Sequence, residues 1–228
     1  KKTKKISSLR LNIFEDYKFL FGFLYKLILK IHLIVLEKMD LVVVMHQVMK
    51  NKLNPFINTE IKVIPNFIDE KSLAKFKKQN IHSEIIKLVF CGSLIKRKDP
   101  FSLIHAVNEL RSKNKKIILN IIGSGPLLQK LRKKVKQLNL DDCIFFHGHV
   151  DDPYEIMIDN DLFILPSITE GISRAMLEAL YLGLYCIVKD VDGNSDIVQD
   201  NFNGFLFKDN IELCDKILDG ENLKNYNF

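Results

Sequence analysis

The 228-residue chain has no tryptophan and only four cysteines, six prolines and ten glycines. The cysteines, Cys91, Cys143, Cys186 and Cys214, are far apart and form no Cys-x-x-Cys pair, which argues against a zinc site or a disulfide framework. We expect them to be small buried side chains of a protein in the reducing cytoplasm. The sequence also contains no Asn-x-Ser/Thr glycosylation site, in keeping with that compartment.

The chain begins with Lys1 and lacks the pattern of a cleavable secretory signal, so we expect a fragment of a longer protein. Its 47% hydrophobic and 27% charged residues are ordinary for a globular protein. The length allows one large domain, or one domain together with part of another.

Positive charge is concentrated at the start of the chain. Residues 1–52 contain 11 Lys and Arg against four Asp and Glu, which leaves 23 against 24 in residues 53–228. A nucleic-acid-binding domain usually carries a basic stripe over its folded surface. The near-neutral body of this chain therefore argues against nucleic acid as a partner, and the basic start favours an anionic lipid or another anionic partner.

Residues 17–36 form an extended apolar run that includes Lys18, Lys26 and Lys30. Placing these three lysines at a bilayer centre would cost about 7 to 10 kcal/mol, against about 4 to 8 kcal/mol gained by the apolar residues, so a membrane span is disfavoured. On a helix, the lysines and Glu37 share one side and leave a wide apolar face. Two interpretations stay open, which are a helix packed on a sheet and peripheral contact with a membrane.

The first third of the chain predicts two short strands, at 40–45 and 61–69. Residues 69–84 are polar and lysine-rich, which indicates a linker. We therefore place a domain boundary near residue 70, between a first part at 1–70 and a second part at 71–228.

Strands and helices alternate regularly in the second part. Repeated βα units joined by short loops require a parallel sheet with right-handed crossovers, so the predicted fold class is α/β with a Rossmann-like sheet. The predicted strands are 88–92, 117–122, 143–147, 162–165 and 185–188, and the predicted helices are 100–111, 126–138, 154–158 and 174–182.

Residues 169–183 join one predicted strand to the next through a loop and a helix, with Ser173 as the expected N-cap. Ligands of a parallel sheet bind at the carboxyl ends of its strands, and the free N–H groups that begin a helix favour an anion such as a diphosphate. Glu178 lies about 7 Å further along the helix axis, which is about the span from a nucleotide's phosphates to its ribose hydroxyls. Glu170 precedes the helix, so that two carboxylates bracket one anion site.

This pair of glutamates is a weak signal by itself. Glu170 also suits the dipole of a helix, and Glu178 also suits a solvated helix face. The glycine turn at 123–125 lacks the third glycine of a dinucleotide-binding fingerprint, because Leu128 occupies that position. No nicotinamide cofactor is therefore expected.

Two further patterns carry less chemistry. The Asp-x-Asp strings at 159–161 and 190–192 occupy a strand start and a turn around Gly193, which are ordinary places for aspartate, so no metal is expected. His147 and His149 end a predicted strand, and an isolated histidine there is more often structural than catalytic.

Several motifs within residues 40–207 occur together and in order. They are VIPNFID at 63–69, the loop at 92–98, IIGSGP at 121–126, FHGHV at 146–150, DLFILPS at 161–167, EGISRAMLEAL at 170–180 and DNFNGFLF at 200–207. The set, with its Glu-x7-Glu spacing from Glu170 to Glu178, resembles the retaining glycosyltransferases of family 4, which have the GT-B fold.

The resemblance implies transfer of a sugar from a nucleotide-diphosphate donor, with a UDP-sugar favoured, to a saccharide or lipid-linked acceptor with retention of the anomeric configuration. It implies a cleft between two Rossmann-like domains, which together need roughly 300 to 400 residues. Residues 1–70 would then be a remnant of the acceptor-side domain and 71–228 the donor-binding domain. We expect a hexosyltransferase of polysaccharide, lipopolysaccharide or capsule synthesis, at the inner face of the plasma membrane, whose isolated fragment is inactive.

Carried over residue by residue, the resemblance gives catalytic roles to Glu170, at the transferred sugar, and to Lys98, at the donor diphosphate. Glu178 would accept hydrogen bonds from the donor ribose. The other expected donor-binding residues are Gly92, Ser93, Gly123, Gly125, His149, Gly171, Ile172, Ser173 and Arg174, without a metal or a cofactor.

The sequence departs from the family pattern at a few positions. Ser93 stands where the family has an arginine and Asp99 where it has a glycine, so one of two expected cationic contacts is missing unless Arg97 or Arg174 replaces it. Two other hypotheses remain open: a sugar-nucleotide epimerase of the same fold, and a non-catalytic, truncated nucleotide-binding module.

Overall fold

The computed structural model describes residues 3–76 and 84–223, which fold into two compact units. The first unit also takes in two short segments from the second half of the chain. Unit one contains Lys1–Phe67, Thr169–Ser173 and Val191–Ile197, and unit two contains Ile68–Ile168, Arg174–Asp190 and Val198–Phe228.

Unit one has a small parallel sheet with the strand order β1-β2-β3. Its elements are β1 Ile6–Leu9, α1 Ile13–Phe21, α2 Tyr25–Leu36, β2 Leu41–Val44, α3 Gln47–Leu53 and β3 Ile61–Val63. The strands predicted at 40–45 and 61–69 are confirmed as β2 and β3. Strand β3 is shorter than predicted, since Pro65 has no N–H with which to extend the ladder. Strand β1 and helix α3 were not predicted.

The apolar run at 17–36 folds as two helices instead of one. Helix α1 begins at Ile13, where the side chain of Asn12 accepts a hydrogen bond from the Phe14 N–H at 3.1 Å. A 3-10 turn at Gly22–Leu24 then separates α1 from α2. The whole segment Ile13–Leu36 is long and apolar enough to cross a membrane, as are some core helices and signal sequences.

Most of this segment lies at the surface of the described residues, because only 6% of its most apolar window is buried. The expectation of a helix packed on a sheet is therefore not met by the described residues. Apolar side chains such as Phe23, Leu27 and Ile31 are 90%, 60% and 55% exposed. Lys26 and Lys30 are also exposed.

Unit two has a six-stranded parallel sheet flanked by helices, which confirms the predicted α/β Rossmann-like fold. Its elements are α4 Glu70–Leu73, β4 Ile86–Cys91, α5 Pro100–Ser112, β5 Ile117–Ile122, α6 Leu128–Gln137, β6 Ile144–Gly148, α7 Tyr154–Ile158, β7 Leu162–Leu165, α8 Arg174–Tyr181, β8 Tyr185–Lys189, β9 Gly204–Phe207 and α10 Asn210–Leu223. Strands β5 and β7 and helix α7 have the predicted bounds. Strand β9 and helix α10 were not predicted.

The strand order β6-β5-β4-β7-β8-β9 reverses direction at β4. The chain winds outward from β4 through β5 to β6, and then returns to the other side of β4 with β7. Such a reversal opens a crevice at the carboxyl ends of the two central strands, where ligands of doubly wound sheets bind. The crevice of unit two therefore lies at the ends of β4 and β7.

The core of unit two follows from its sequence pattern. All four residues of β7 are buried, as are Val89 and Phe90 of β4, because helices cover both faces of a parallel sheet. Helix α6 buries Leu131 and Val135, four residues apart, and exposes Lys130, Lys133 and Lys136.

Two predictions about loops need correction. The stretch at 69–84, interpreted as a linker, includes helix α4, because the Asp69 carboxylate accepts hydrogen bonds from the N–H groups of Lys71 and Ser72 and so caps a helix. Its residues 77–83 lie outside the described residues. The turn expected around Gly193 is the short helix α9 Asp192–Ser195, which belongs to unit one.

Candidate functional site

The candidate site of unit two begins where β4 ends. Cys91 is the last residue of β4, and Gly92 continues the ladder by donating its N–H to the Ile122 carbonyl at 2.9 Å. Gly92 lacks a side chain at a crowded position, since a Cβ there would lie 3.3 Å from the Phe90 ring and 3.9 Å from Cε of Lys98. The backbone of Gly92 thus borders the Lys98 side chain at the switch point of the sheet.

Gly123 and Gly125 lie in the loop after β5, where it packs closely against the loop after β4. Both have positive φ, 139° and 158°, which side chains disfavour. A Cβ on Gly123 would overlap the Gly92 carbonyl oxygen, and one on Gly125 would lie 2.6 Å from the Leu94 carbonyl oxygen. The Leu94 N–H donates to the Ser124 carbonyl at 2.9 Å. These glycines therefore allow the loops after β4 and β5 to interlock.

Lys98 ends a 3-10 turn, Lys96–Lys98, that is tied to the loop after β7. The carbonyl of Arg97 accepts a hydrogen bond from the Ile168 N–H at 2.8 Å. Asp99 follows in the left-handed conformation, with φ 45° and ψ 51°, which explains why a glycine suits this position in the family pattern. Its carboxylate accepts a hydrogen bond from the Ser102 hydroxyl at 2.6 Å, at the start of α5.

Helix α8 brings the carboxylate of Glu178 to this site. Its Oε1 accepts a hydrogen bond from the Tyr154 hydroxyl at 3.3 Å. Partial burial raises the pKa of Glu178, and the Tyr154 hydrogen bond and the charge of Arg174 oppose that rise. A half-buried carboxylate held by a phenol can accept hydrogen bonds from a polyol ligand.

Cys91 lies close to the charges of both Glu178 and Lys98. Burial raises the pKa of the Cys91 thiol to about 11, the nearby charge of Glu178 adds to the rise, and Lys98 opposes it. Glu178 and Lys98 therefore both lie near Cys91 in unit two, and the Gly92 backbone next to Cys91 borders the Lys98 side chain. The other three cysteines are buried, as predicted, whereas Cys91 is only partly buried.

The two histidines have different surroundings. His147 Nε2 lies 2.8 Å from Oδ1 of Asn120, and the Asn120 amide donates to the buried Asn160 side chain at 3.0 Å. This chain of hydrogen bonds links neighbouring strands and gives His147 a structural role. His149 is 75% exposed, 3.2 Å from the Asp151 carboxylate.

Two other expected donor-binding positions lie at the surface of unit two. Ser93 and Arg174 are exposed, at the loop after β4 and the first residue of α8. Ser93 can offer a hydroxyl but no charge. Arg174 acts on Glu178 electrostatically.

The segment Thr169–Ser173, which includes Glu170, is grouped with unit one. Glu170 and Ser173 are buried, 5% and 6% exposed. Gly171 lies so close to the Arg10 carbonyl that a Cβ would overlap it, and the Asn66 amide donates to the Ile172 carbonyl at 2.5 Å. Contacts with Arg10 and Asn66 within unit one thus determine the path of this segment.

Sequence reasoning did not identify Tyr154 or Cys91 as site residues. Tyr154 begins the predicted helix α7, but nothing in its spacing from Glu178 signals that the two side chains meet. Cys91 is the last residue but one of the predicted strand 88–92, so its place at the switch point could have been inferred once β4 was recognised as central. In the described part of the chain, no group of three or more His, Cys, Asp or Glu side chains could hold a metal ion.

Residues 72–226 match the family described as glycosyl transferases group 1. The chain therefore belongs to this family, and the resemblance drawn from its motifs is confirmed at that level.

Two curated relatives illustrate the similarity. One is the UDP-Gal:alpha-D-GlcNAc-diphosphoundecaprenol alpha-1,3-galactosyltransferase of Escherichia coli, 32% identical over 167 residues that cover 68% of this chain and 42% of the relative. The other is the poly(ribitol-phosphate) alpha-N-acetylglucosaminyltransferase of Staphylococcus aureus strain COL, 30% identical over 73% of this chain and 33% of the relative. The chain thus spans less than half the length of these two relatives.

The fold also matches a solved structure. A variant of S. aureus TarM, crystallised with Fondaparinux, alpha-GlcNAc-glycerol and UDP, has a TM-score of 0.80 and 22% identity, covering 96% of this chain and 44% of TarM. This match supports the GT-B assignment of the fold.

Proposed function

We propose that the protein is a glycosyltransferase that moves a sugar from a nucleotide-diphosphate donor to a saccharide or lipid-linked acceptor, with retention of configuration. The observation that carries the proposal is the arrangement of Glu178, Lys98 and Gly92 at the switch point of unit two, in a chain of the glycosyl transferases group 1 family. At this place a carboxylate suits the ribose hydroxyls of a nucleoside diphosphate, and an ammonium suits its diphosphate.

Unit two supplies the donor contacts in this proposal. Glu178 accepts hydrogen bonds from the ribose hydroxyls, and Lys98 contacts the diphosphate. The backbones of Gly92, Gly123 and Gly125 shape the floor of the site. Negative charge grows on the diphosphate as the glycosidic bond breaks, so a lysine placed there stabilises the transition state more than the bound donor.

The remaining roles rest on the family resemblance. Glu170 is proposed to contact the transferred sugar, while Gly171, Ile172 and Ser173 and the start of α8 at Arg174 contact the diphosphate. His149 and Ser93 complete the proposed donor contacts. These assignments use no metal and no cofactor.

The relatives favour particular substrates. The name of the E. coli relative contains UDP-Gal and a diphosphoundecaprenol acceptor, and that of the S. aureus relative contains a poly(ribitol-phosphate). We therefore favour a UDP-sugar as donor, and a lipid-linked or polymeric acceptor in the synthesis of a cell-surface glycan such as lipopolysaccharide or capsule. A lipid-linked acceptor lies in a membrane, and the exposed apolar side chains and lysines of α1 and α2 suit peripheral contact with its surface.

The first experiment is calorimetric titration of the chain with UDP and with GDP, since the protein has no tryptophan to report binding by fluorescence. We expect saturable binding of UDP that Glu178→Gln weakens about tenfold or more, because hydrogen bonds to a charged group contribute about 1.5 to 3 kcal/mol. Glu155→Gln is the matched control, since Glu155 is an exposed glutamate on α7. A folded chain that binds neither nucleotide would contradict the donor site.

Product analysis of the full-length protein separates the alternatives. A transferase releases UDP only when both donor and acceptor are present, and the product retains the donor's anomeric configuration by NMR. An epimerase would convert the sugar nucleotide without an acceptor. A binding module would titrate with UDP and yield neither product.

A further inference from the structure

Tyr154 approaches Glu178 from the neighbouring helix. It is the first residue of α7, and its hydroxyl donates to Oε1 of Glu178 on α8 at 3.3 Å. A carboxylate has two oxygens that accept hydrogen bonds. With Oε1 taken by the phenol, Oε2 is left to face a ligand in a defined orientation.

The Tyr154 ring is itself held in place. Its centroid lies 5.3 Å from the Phe76 ring at an interplanar angle of 59°. The Lys75 ammonium lies 4.7 Å from the Phe76 ring centroid and 3.8 Å from the Asp152 carboxylate, next to the start of α7. Since the ring packing restricts the torsion angles of Tyr154, it determines where the hydroxyl points.

This arrangement restrains the carboxylate in two ways. It orients Glu178 before any ligand arrives, and it favours the ionised form, because the phenol hydrogen bond lowers the pKa of Glu178 against the rise caused by burial. A restrained, partly buried carboxylate makes strong hydrogen bonds to hydroxyl donors, and it is left unpaired by a ligand that lacks them.

We infer that Tyr154 is a positioning residue that makes the donor site selective for ribonucleoside over deoxyribonucleoside diphosphates by holding Glu178 toward the ribose hydroxyls. The inference rests on the proposed donor role of Glu178. It adds a residue outside the glutamate pair to the machinery of nucleotide selection.

The test compares binding of UDP with binding of 2′-deoxy-UDP and 3′-deoxy-UDP by calorimetry. We expect the wild-type chain to bind UDP at least about tenfold more tightly than the weaker deoxy analogue. Tyr154→Phe keeps the ring packing on Phe76. It should weaken UDP binding about fivefold to tenfold, while the affinity for the weaker deoxy analogue stays nearly constant. Discrimination between the two ligands should therefore largely disappear.

Tyr181→Phe is the matched control. Tyr181 lies on the same helix as Glu178, but its hydroxyl donates a hydrogen bond to the Glu70 carbonyl, at 3.3 Å. It should leave both affinities and their ratio unchanged. In Tyr154→Phe, the loss of UDP affinity on acidification should also begin at a higher pH, because the pKa of Glu178 then rises further.

The outcomes separate this inference from the proposed function. The positioning role is wrong, and the donor site stands, if Tyr154→Phe lowers the affinities for UDP and both analogues by one common factor. The same holds if Tyr154→Phe leaves the affinity for UDP unchanged while Glu178→Gln lowers it. If Glu178→Gln leaves UDP binding unchanged, or the folded chain binds no UDP, both the donor role and this inference are overturned.

Discussion

Gly123 and Gly92 lie so close at the ends of β5 and β4 that a methyl group on Gly123 would overlap the Gly92 carbonyl oxygen. Together with the Leu94 N–H bond to the Ser124 carbonyl, this contact joins the loops on either side of the candidate donor site. The absence of a side chain at Gly123 therefore lets the loop after β5 pack against the loop after β4, whether or not a donor also approaches this glycine.

Gly123→Ala should destabilise unit two. The positive φ of 139° costs a side chain about 1 to 2 kcal/mol, and the overlap adds about 1 to 3 kcal/mol. Gly183→Ala is the control, because Gly183 also has a positive φ, 81°, but open space around it, so only the first cost of about 1 to 2 kcal/mol applies. Urea unfolding followed by circular dichroism measures both. If both variants lose the same free energy of unfolding, the backbone around Gly123 and Gly92 accommodates the added methyl group without cost.

Glu178→Gln should stabilise the folded chain at neutral pH, even though it weakens UDP binding. The pKa of Glu178 is raised on folding, so the folded state holds its proton more tightly than the unfolded state. Stability linked to this group is complete below the ordinary carboxyl pKa and is lost as pH rises through the raised value. The advantage of the glutamine variant should therefore shrink as pH falls across this interval.

Urea unfolding of both proteins at several pH values checks this prediction. The amide oxygen of glutamine can still accept the Tyr154 hydrogen bond, so the variant removes the charge and keeps the contact. Glu155→Gln on the exposed face of α7 should show no such pH dependence. A glutamine variant less stable than the wild type at neutral pH would contradict the idea that the buried charge is costly.

Cys91 should react slowly with iodoacetamide near neutral pH. Its pKa is raised to about 11, first by burial and then by Glu178, and only the thiolate is nucleophilic. The alkylation rate, measured by peptide mass spectrometry, should keep rising about tenfold per pH unit past the ordinary thiol pKa of about 8.5. Glu178→Gln should shift the profile to lower pH. A plateau near the ordinary value in the wild type would contradict the raised pKa, and an unchanged profile in Glu178→Gln would contradict the influence of Glu178 on Cys91.

The sequence predicted unit two well because its signals are local. Strand β7 is a four-residue apolar run closed by Pro166, and helix α7 and strand β5 are bounded by similarly clear breaks. Such runs, alternating with amphipathic helices, define a parallel sheet without further information. Strand β1 escaped prediction because Ser7 and Ser8 interrupt its apolar pattern.

The parts of the site that sequence did not reveal depend on contacts distant in the chain. The hydrogen bond between Tyr154 and Glu178 joins residues on successive helices, and the burial of Glu170 follows from the path of Thr169–Ser173 through unit one. The path of that segment depends on Arg10 and Asn66, more than a hundred residues earlier. Residue type and spacing gave the candidates, whereas packing determines their partners.

The apolar surface of α1 and α2 should bind anionic membranes. Phe23, Leu27 and Ile31 are exposed beside Lys26 and Lys30, so apolar insertion and attraction to anionic headgroups can act together. The chain should co-sediment with vesicles that contain phosphatidylglycerol, and less with phosphatidylcholine alone or at high salt. Changing the three apolar residues to serine should weaken binding at least about tenfold, given about 1.5 to 3 kcal/mol for each fully buried side chain.

A matched control tests whether this effect is specific to the helix surface. Serine at Phe67, Phe202 and Ile211, which are 84%, 63% and 78% exposed, removes a similar apolar area elsewhere. This control variant should bind vesicles as the wild type does. If both triple variants bind equally well, contact through α1 and α2 is wrong; if they lose binding equally, the attraction is a general property of exposed apolar side chains. Because the substituted side chains are exposed, unfolding curves of both variants should match the wild type, which ties any loss of binding to the surface itself.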